Sequence, residues 1–256
     1  MIVTGILSGG AICKKLCSVQ NINFYDFIII SAVAGGLGFA GAKIFFLIDF
    51  YTPTQFFKAL GNMLSHPKAS GLISGGFVFY GGLIGGIAGY FLGVKIARCG
   101  VSTFLNTFAF AIPFVHAFGR IGCFCAGCCY GIEYNGPLSI AGHFPVQLFE
   151  SGLLFAFSFV ILGLICKRSR NEFGMTEAVI PLFIWYILYY SFIRFFLEFL
   201  RADEIRGQIS FGNSITLSIS QVVSVILFIG AVTLLIILLI KNHKTDKLKQ
   251  TEIQHD

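Results

Sequence analysis

The stretch ITLSISQVVSVILFIGAVTLLIILLI, residues 215–240, runs its whole length without a charged side chain. A helix rises 1.5 Å per residue, so roughly 20 apolar residues cross the about 30 Å of hydrocarbon in a bilayer. This stretch is long enough to span. Working outward from it, similar runs occupy approximately 24–49, 71–97, 103–124, 145–166 and 177–200, and a shorter one covers 2–13. The 256-residue chain is 56% hydrophobic and only 12% charged, whereas soluble domains are about one quarter charged. The pattern predicts an all-α, polytopic integral membrane protein of about seven transmembrane helices. It forms one domain over 1–240, followed by a basic tail at 241–256.

The first run, IVTGILSGGAIC, has neither the basic start nor the cleavage site of a secretory signal. It reads as a short first helix. The net charge is +6, but the basic residues are scattered over connections rather than gathered in a stripe, so nucleic acid is not an expected partner. Their distribution instead predicts topology, because positive charge marks cytoplasmic loops. The clusters Lys14/Lys15, Lys95/Arg98, Lys167/Arg168/Arg170 and the tail from Lys241 fall in alternate connections. With seven segments this puts the amino terminus outside and the carboxyl terminus in the cytoplasm. The loops near 50–70, 125–144 and 201–214 are then outside.

Polar side chains inside a membrane segment cost several kcal/mol unless they face a cavity or each other, which makes each a candidate site residue. On the predicted topology they gather in the outer half. Lys43 lies near the outer end of its segment, and Tyr80 is about nine residues, roughly 14 Å, into the next. His116 and Arg120 end one segment, Gln147 and Glu150 begin another, and Tyr190, Arg194 and Glu198 end a third. Arg194 and Glu198 are four apart and share a helix face. Two readings fit them: a structural ion pair, or a basic pocket for a lipid phosphate in which Glu198 orients Arg194. Arginine suits phosphate because its planar fork donates two hydrogen bonds at once. Glycine is dense in GGLGFAG at 35–41 and YGGLIGG at 80–86. Such runs let backbones approach closely or let a helix break beside a ligand; Gly81 and Gly82 follow Tyr80 at the depth of the other polar groups and are read as lining the site.

Five ordered pieces resemble one family, prolipoprotein diacylglyceryl transferase. GAKIFF at 41–46 resembles its Gly-Ala-Arg segment, with Lys43 for arginine, and YGGLIGG resembles its His-Gly-Gly-Leu-Ile-Gly segment. GRIGCFCAGCCYG at 119–131 resembles the signature Gly-Arg-x-Gly-Asn-Phe-x-Asn-x-Glu-x-x-Gly. FPVQLFE at 144–150 resembles Pro-Ser-Gln-Leu-Tyr-Glu, and YSFIRFFLEFLRAD at 190–203 resembles Tyr-x-x-x-Arg-x-x-x-Glu-x-x-Arg. The resemblance implies a multi-pass enzyme of the bacterial plasma membrane. Such an enzyme takes the diacylglyceryl group of phosphatidylglycerol from among the membrane lipids and joins it to the lipobox cysteine thiol of a lipoprotein precursor. Glycerol phosphate leaves, and neither cofactor nor metal is implied. It also implies that Arg120 and Arg194 neutralise the phosphate, that Glu198 orients Arg194, and that Gly119, Gln147, Glu150, Tyr190 and Arg201 line the site with Lys43.

The chain departs from the family pattern in places. Tyr80 stands for the family's histidine, and a phenol with a reference pKa near 10 is a poorer base at neutral pH than imidazole; His116 is the candidate substitute. Cys123 and Ala126 replace the two signature asparagines, and Cys128 replaces the glutamate. Cys123, Cys125, Cys128 and Cys129 stay open between packing or bridging, thiol chemistry and zinc. Cys125/Cys128 have C-x-x-C spacing, but no second ligand pair is evident beyond His116 and His143. Cys13, Cys17, Cys99 and Cys166 read as packing residues. Two other functions share these residues: a paralogue that binds or transports an anionic lipid, or uses another acceptor, and an outward-facing thiol oxidoreductase or metal protein, which rests only on the cysteine cluster. No internal repeat of the transporter kind is evident.

Overall fold

The computed structural model describes residues 1–50, 79–170, 181–202, 208–211 and 215–253. The predicted segment starts at 71–78 and 177–180, most of the loop near 50–70, and parts of the 201–214 loop lie outside the described residues. Helices α1 (Ile2–Val19), α2 (Phe24–Phe50), α3 (Phe79–Ala97), α4 (Leu105–Cys125), α5 (Val146–Arg170), α6 (Leu182–Leu197) and α7 (Ile219–Ile253) dominate. A 3-10 turn, Glu198–Leu200, extends α6. Strands β1 (Gln208–Phe211) and β2 (Ile215–Ser218) pair antiparallel, with Gln208 opposite Ser218 and Phe211 opposite Ile215. The protein is an all-α polytopic membrane protein. Among the described residues, six helices are long and apolar enough to span, and a shorter apolar one covers Gly81–Ala97.

Three boundaries differ from expectation, each for a local reason. Helix α1 does not stop at residue 13. Gly5, Gly9, Cys13, Leu16 and Cys17 form one buried face at helical spacing, while Lys14 and Lys15 are exposed beside it. The lysines therefore ride the outer face, and the helix has the length to span. Helix α7 starts at Ile219 rather than 215 because Ser218 and Gln221 make a reciprocal cap. The Ser218 amide donates to Gln221 Oε1 at 2.9 Å, and the Gln221 amide donates to Ser218 Oγ at 3.1 Å. At its other end α7 continues past Lys241, so the tail is helical to Ile253.

The chain forms two compact units. In the unit spanning Asn23–Thr103, α2 and α3 meet backbone to backbone. Gly81, Gly85, Gly89 and Gly93 recur every fourth residue and line one face of α3. A Cβ at Gly81 would collide with the Gly41 carbonyl, and one at Gly85 with the Leu37 carbonyl; at Gly89 it would sit 2.7 Å from Ala34 Cα, and at Gly93 2.8 Å from Ile30 Cα. This small-residue seam is how helices pack in lipid, where no hydrophobic force drives them together. In the other unit, formed by Met1–Ile22 and Phe104–Asp256, α1 packs on α4 by the same device. A Cβ at Gly5 would lie 2.8 Å from Phe118 Cβ. Below it, Gln20 Nε2 donates to Thr107 Oγ1 at 2.9 Å, both residues buried. Ile6, Phe39, Phe91, Val160, Phe192 and Ile226 are exposed large apolar residues on the helices, as a surface solvated by hydrocarbon requires.

Candidate active site

Glu150 is the centre of the site. It follows the first turn of α5 and is 1% exposed, so its charge must be matched by partners. Helix α4 supplies two. Arg120 Nη2 lies 2.5 Å from Glu150 Oε2, and His116 Nε2 lies 3.9 Å from Glu150 Oε1. His116 and Arg120 are four residues apart and so share the α4 face turned to α5. Helix α6 supplies the third partner, Tyr190, whose hydroxyl donates to Glu150 Oε1 at 3.4 Å. The Tyr190 ring stacks on Tyr186 at 6.0 Å and meets the His116 ring edge-on at 5.3 Å. Below this layer, Ser151 Oγ donates to the Ala117 carbonyl at 3.1 Å and Tyr189 to the Leu153 carbonyl at 2.9 Å. These two bonds fix α5 against α4 and α6. One turn along α6, Arg194 Nη2 contacts Glu198 Oε2 at 2.7 Å and Ser220 Oγ at 3.4 Å.

The fold thus brings His116, Arg120, Glu150 and Tyr190 together, with Arg194 and Glu198 paired nearby on the same helix as Tyr190. Glu150, read from the sequence as a lining residue, is the counter-ion of Arg120. Among the described residues, Arg120 Nε and Gln147 Oε1 are buried without a hydrogen-bond partner. A Cβ on Gly119, next to Arg120, would meet no atom within 4 Å. The His116 side chain is 30% exposed, more than those of Arg120 and Glu150. Lys43 and Tyr80 belong to the other unit. Lys43 Nζ lies 5.2 Å from the Phe46 ring centre, and the Tyr80 side chain lies outside the described residues. Gly81 and Gly82 sit at the α2–α3 contact.

The connection after α4 is ordered by hydrogen bonds. The Gly131 amide donates to the Phe144 carbonyl at 3.1 Å and the Ile132 amide to the Leu200 carbonyl at 3.0 Å. Gly131 is squeezed between these two chains, since a Cβ there would lie 2.5 Å from the Phe144 oxygen and 2.6 Å from that of Leu200. That close approach accounts for the last glycine of GRIGCFCAGCCYG. Arg201 bridges to Gly131 through its backbone and is buried.

The cysteines sit where α4 ends. Gly127 adopts φ +64°, its amide donates to the Phe124 carbonyl at 3.1 Å, and the Cys128 amide reaches back to the Cys123 carbonyl at 3.1 Å. This is a Schellman motif, with a left-handed glycine at its turn. It folds Cys128 and Cys129 back onto Cys123, and the three sulfurs lie within 4.8 Å of one another. Gln147 Nε2 donates to the Cys128 carbonyl at 2.8 Å, tying this turn to the helix that carries Glu150. Desolvation, then the neighbouring Cys129 and Cys123, pushes the Cys128 thiol up to about 11. Cys125 is exposed and outside the trio, and among the described residues no cysteine is in a disulfide. A sequence signal for the trio existed: a glycine two residues after the last helical position predicts this back-folded turn. Of the other cysteines, Cys13 and Cys17 are buried as expected, whereas Cys166 is exposed.

Long apolar helices around a buried cluster of carboxylate, guanidinium, imidazole and phenol define a multi-pass membrane protein with an intramembrane polar site. The prolipoprotein diacylglyceryl transferase family matches residues 1–237, and the chain belongs to that family. It is 30% identical over 268 residues to phosphatidylglycerol–prolipoprotein diacylglyceryl transferase 2 of Clostridium perfringens, covering 95% of this chain and 91% of that relative. Identity to the Clostridium tetani transferase of the same activity name is 28% over 88% of this chain and 85% of the relative. For the Clostridioides difficile transferase the figures are 27%, 91% and 86%. The protein is accordingly a transferase, and its place is the bacterial plasma membrane, which it crosses several times.

Proposed function

We propose that this chain transfers the diacylglyceryl group of phosphatidylglycerol to the lipobox cysteine thiol of a prolipoprotein at the outer leaflet. The amino terminus then faces outward and the basic tail the cytoplasm. The observation that carries the reading is the buried Glu150 held by Arg120, His116 and Tyr190, an ionic assembly inside the spans that lipid-facing packing alone would not need. The acceptor sulfur attacks the glyceryl carbon that bears the phosphoester. A sulfur–carbon bond forms, the carbon–oxygen bond breaks, and the electron pair leaves with glycerol phosphate.

His116 takes the thiol proton in this scheme. Its side chain is only half-buried, and Glu150 beside it stabilises the imidazolium that forms, the logic of a carboxylate behind a histidine base. Arg120 and Arg194 stabilise charge on the departing phosphate. A guanidinium has five N–H donors, so each arginine keeps donors for phosphate while paired with its carboxylate. Tyr190 and Gln147 line the lipid, Gly119 leaves room beside Arg120, and Lys43 and Tyr80 are further proposed substrate contacts.

The test is purified protein in vesicles of labelled phosphatidylglycerol with a lipobox peptide. Lipidated peptide and glycerol phosphate in equal amounts are expected. Lipid binding without either product would overturn the transfer reaction in favour of an anionic-lipid-binding paralogue, the reading that Tyr80 at the family's histidine position favours.

A further inference from the structure

We propose that Cys123, Cys128 and Cys129 form a three-thiolate site for a soft closed-shell metal ion, zinc(II) or copper(I), at the end of α4. None of the roles assigned to the transfer reaction uses these residues. Their sulfurs already lie within 4.8 Å of one another. Three sulfurs about 2.3 Å from a common ion are roughly 3.8–4.0 Å apart, so closing the site takes side-chain movements of under about 1 Å.

Three features hold the ligands in place before any ion arrives. The Schellman turn fixes Cys128 over Cys123 through a backbone hydrogen bond of 3.1 Å. Cys129 is set by its left-handed φ of +60°, and Gln147 pins the Cys128 carbonyl at 2.8 Å. The carbonyl end of α4 also carries partial negative charge, which favours a cation. Thiolates select copper(I) and zinc over magnesium or calcium. Copper(I) is satisfied by three sulfurs, whereas zinc takes a solvent molecule as its fourth ligand. Each thiol that binds loses its proton to solvent as the metal–sulfur bond forms, and no electron is transferred.

The experiment uses full-length protein, reduced and metal-free, in detergent. Zinc(II) alone is titrated against a chromophoric chelator, and copper(I) alone against a copper(I) chelator in a parallel arm. One ion per chain is expected in at least one arm. Affinity should fall at least about tenfold in each of Cys123→Ser, Cys128→Ser and Cys129→Ser, and should hold in Cys125→Ser. Cadmium(II) added to wild type counts thiolates by its sulfur-to-metal absorption, a readout independent of whether any variant folds; three are expected. Binding no tighter than that of the triple serine variant, equal loss in Cys125→Ser, or fewer than three thiolates on cadmium would each overturn the site. Because the probe is the metal alone, this result is independent of lipid transfer.

Discussion

Arg120 and Glu150 meet across two helices at 2.5 Å, their side chains 12% and 1% exposed. Removing one partner of a buried pair strands the other charge, at a cost of about 3–5 kcal/mol. Glu150→Ala is therefore expected to lower unfolding stability in detergent by about that amount, and Arg120→Met by somewhat less, since Glu150 also serves Tyr190 and His116. The double variant Arg120→Met/Glu150→Leu should recover much of the stability and none of the activity. Additive losses in the double-mutant cycle would show that the pair is not energetically coupled.

His116→Ala is expected to reduce kcat by about 10²–10⁴, the usual contribution of a positioned base, with phosphatidylglycerol binding retained. The check is turnover and lipid binding measured on the same preparation. A variant with full kcat would remove His116 from the proton transfer and return attention to Tyr80.

Two glycine substitutions should separate packing from site. A Cβ at Gly85 runs into the Leu37 carbonyl, so Gly85→Ala is expected to destabilise by about 1–3 kcal/mol, as overpacking does. Gly119 has no atom within 4 Å of its missing Cβ. Gly119→Ala should therefore melt like wild type yet turn over more slowly. If both variants lowered stability and neither touched KM or kcat, the assignment of Gly119 to the substrate side would fail.

Gly131→Ala places a methyl 2.5 Å and 2.6 Å from two backbone oxygens. It should open the connection after α4, read as faster proteolysis between α4 and α5 and a loss of stability of about 1–3 kcal/mol. Unchanged proteolysis would contradict the packed arrangement of this loop.

The Cys128 thiol, raised to about 11 by desolvation and the adjacent Cys129 and Cys123, keeps its proton at neutral pH. At pH 8 roughly one thiol in a thousand is thiolate, so alkylation of the metal-free protein should climb about tenfold per pH unit from 8 to 10. Peptide mass spectrometry of iodoacetamide-treated protein reads this directly. A rate that levels off below pH 9 would be inconsistent with the crowded thiols.

The spans, their approximate ends and the identity of the polar residues within them are properties of the sequence, because an apolar run of about 20 residues has few other solutions. The apolar run places the start of α7 four residues early, at 215, although the Ser218 and Gln221 spacing of a reciprocal cap marks it. What the chain alone could not decide is which polar groups meet. A helix that is apolar nearly all round carries little directional signal, so its rotation about its own axis is set by packing: by the Gly5 and Gly9 face on α4 and by the Ser151 and Tyr189 bonds across α5. That rotation made Glu150, not a phosphate alone, the partner of Arg120. At the same helix's end, one left-handed glycine turned a row of cysteines into a cluster of three, because backbone direction after a helix depends on how its last carbonyls are satisfied.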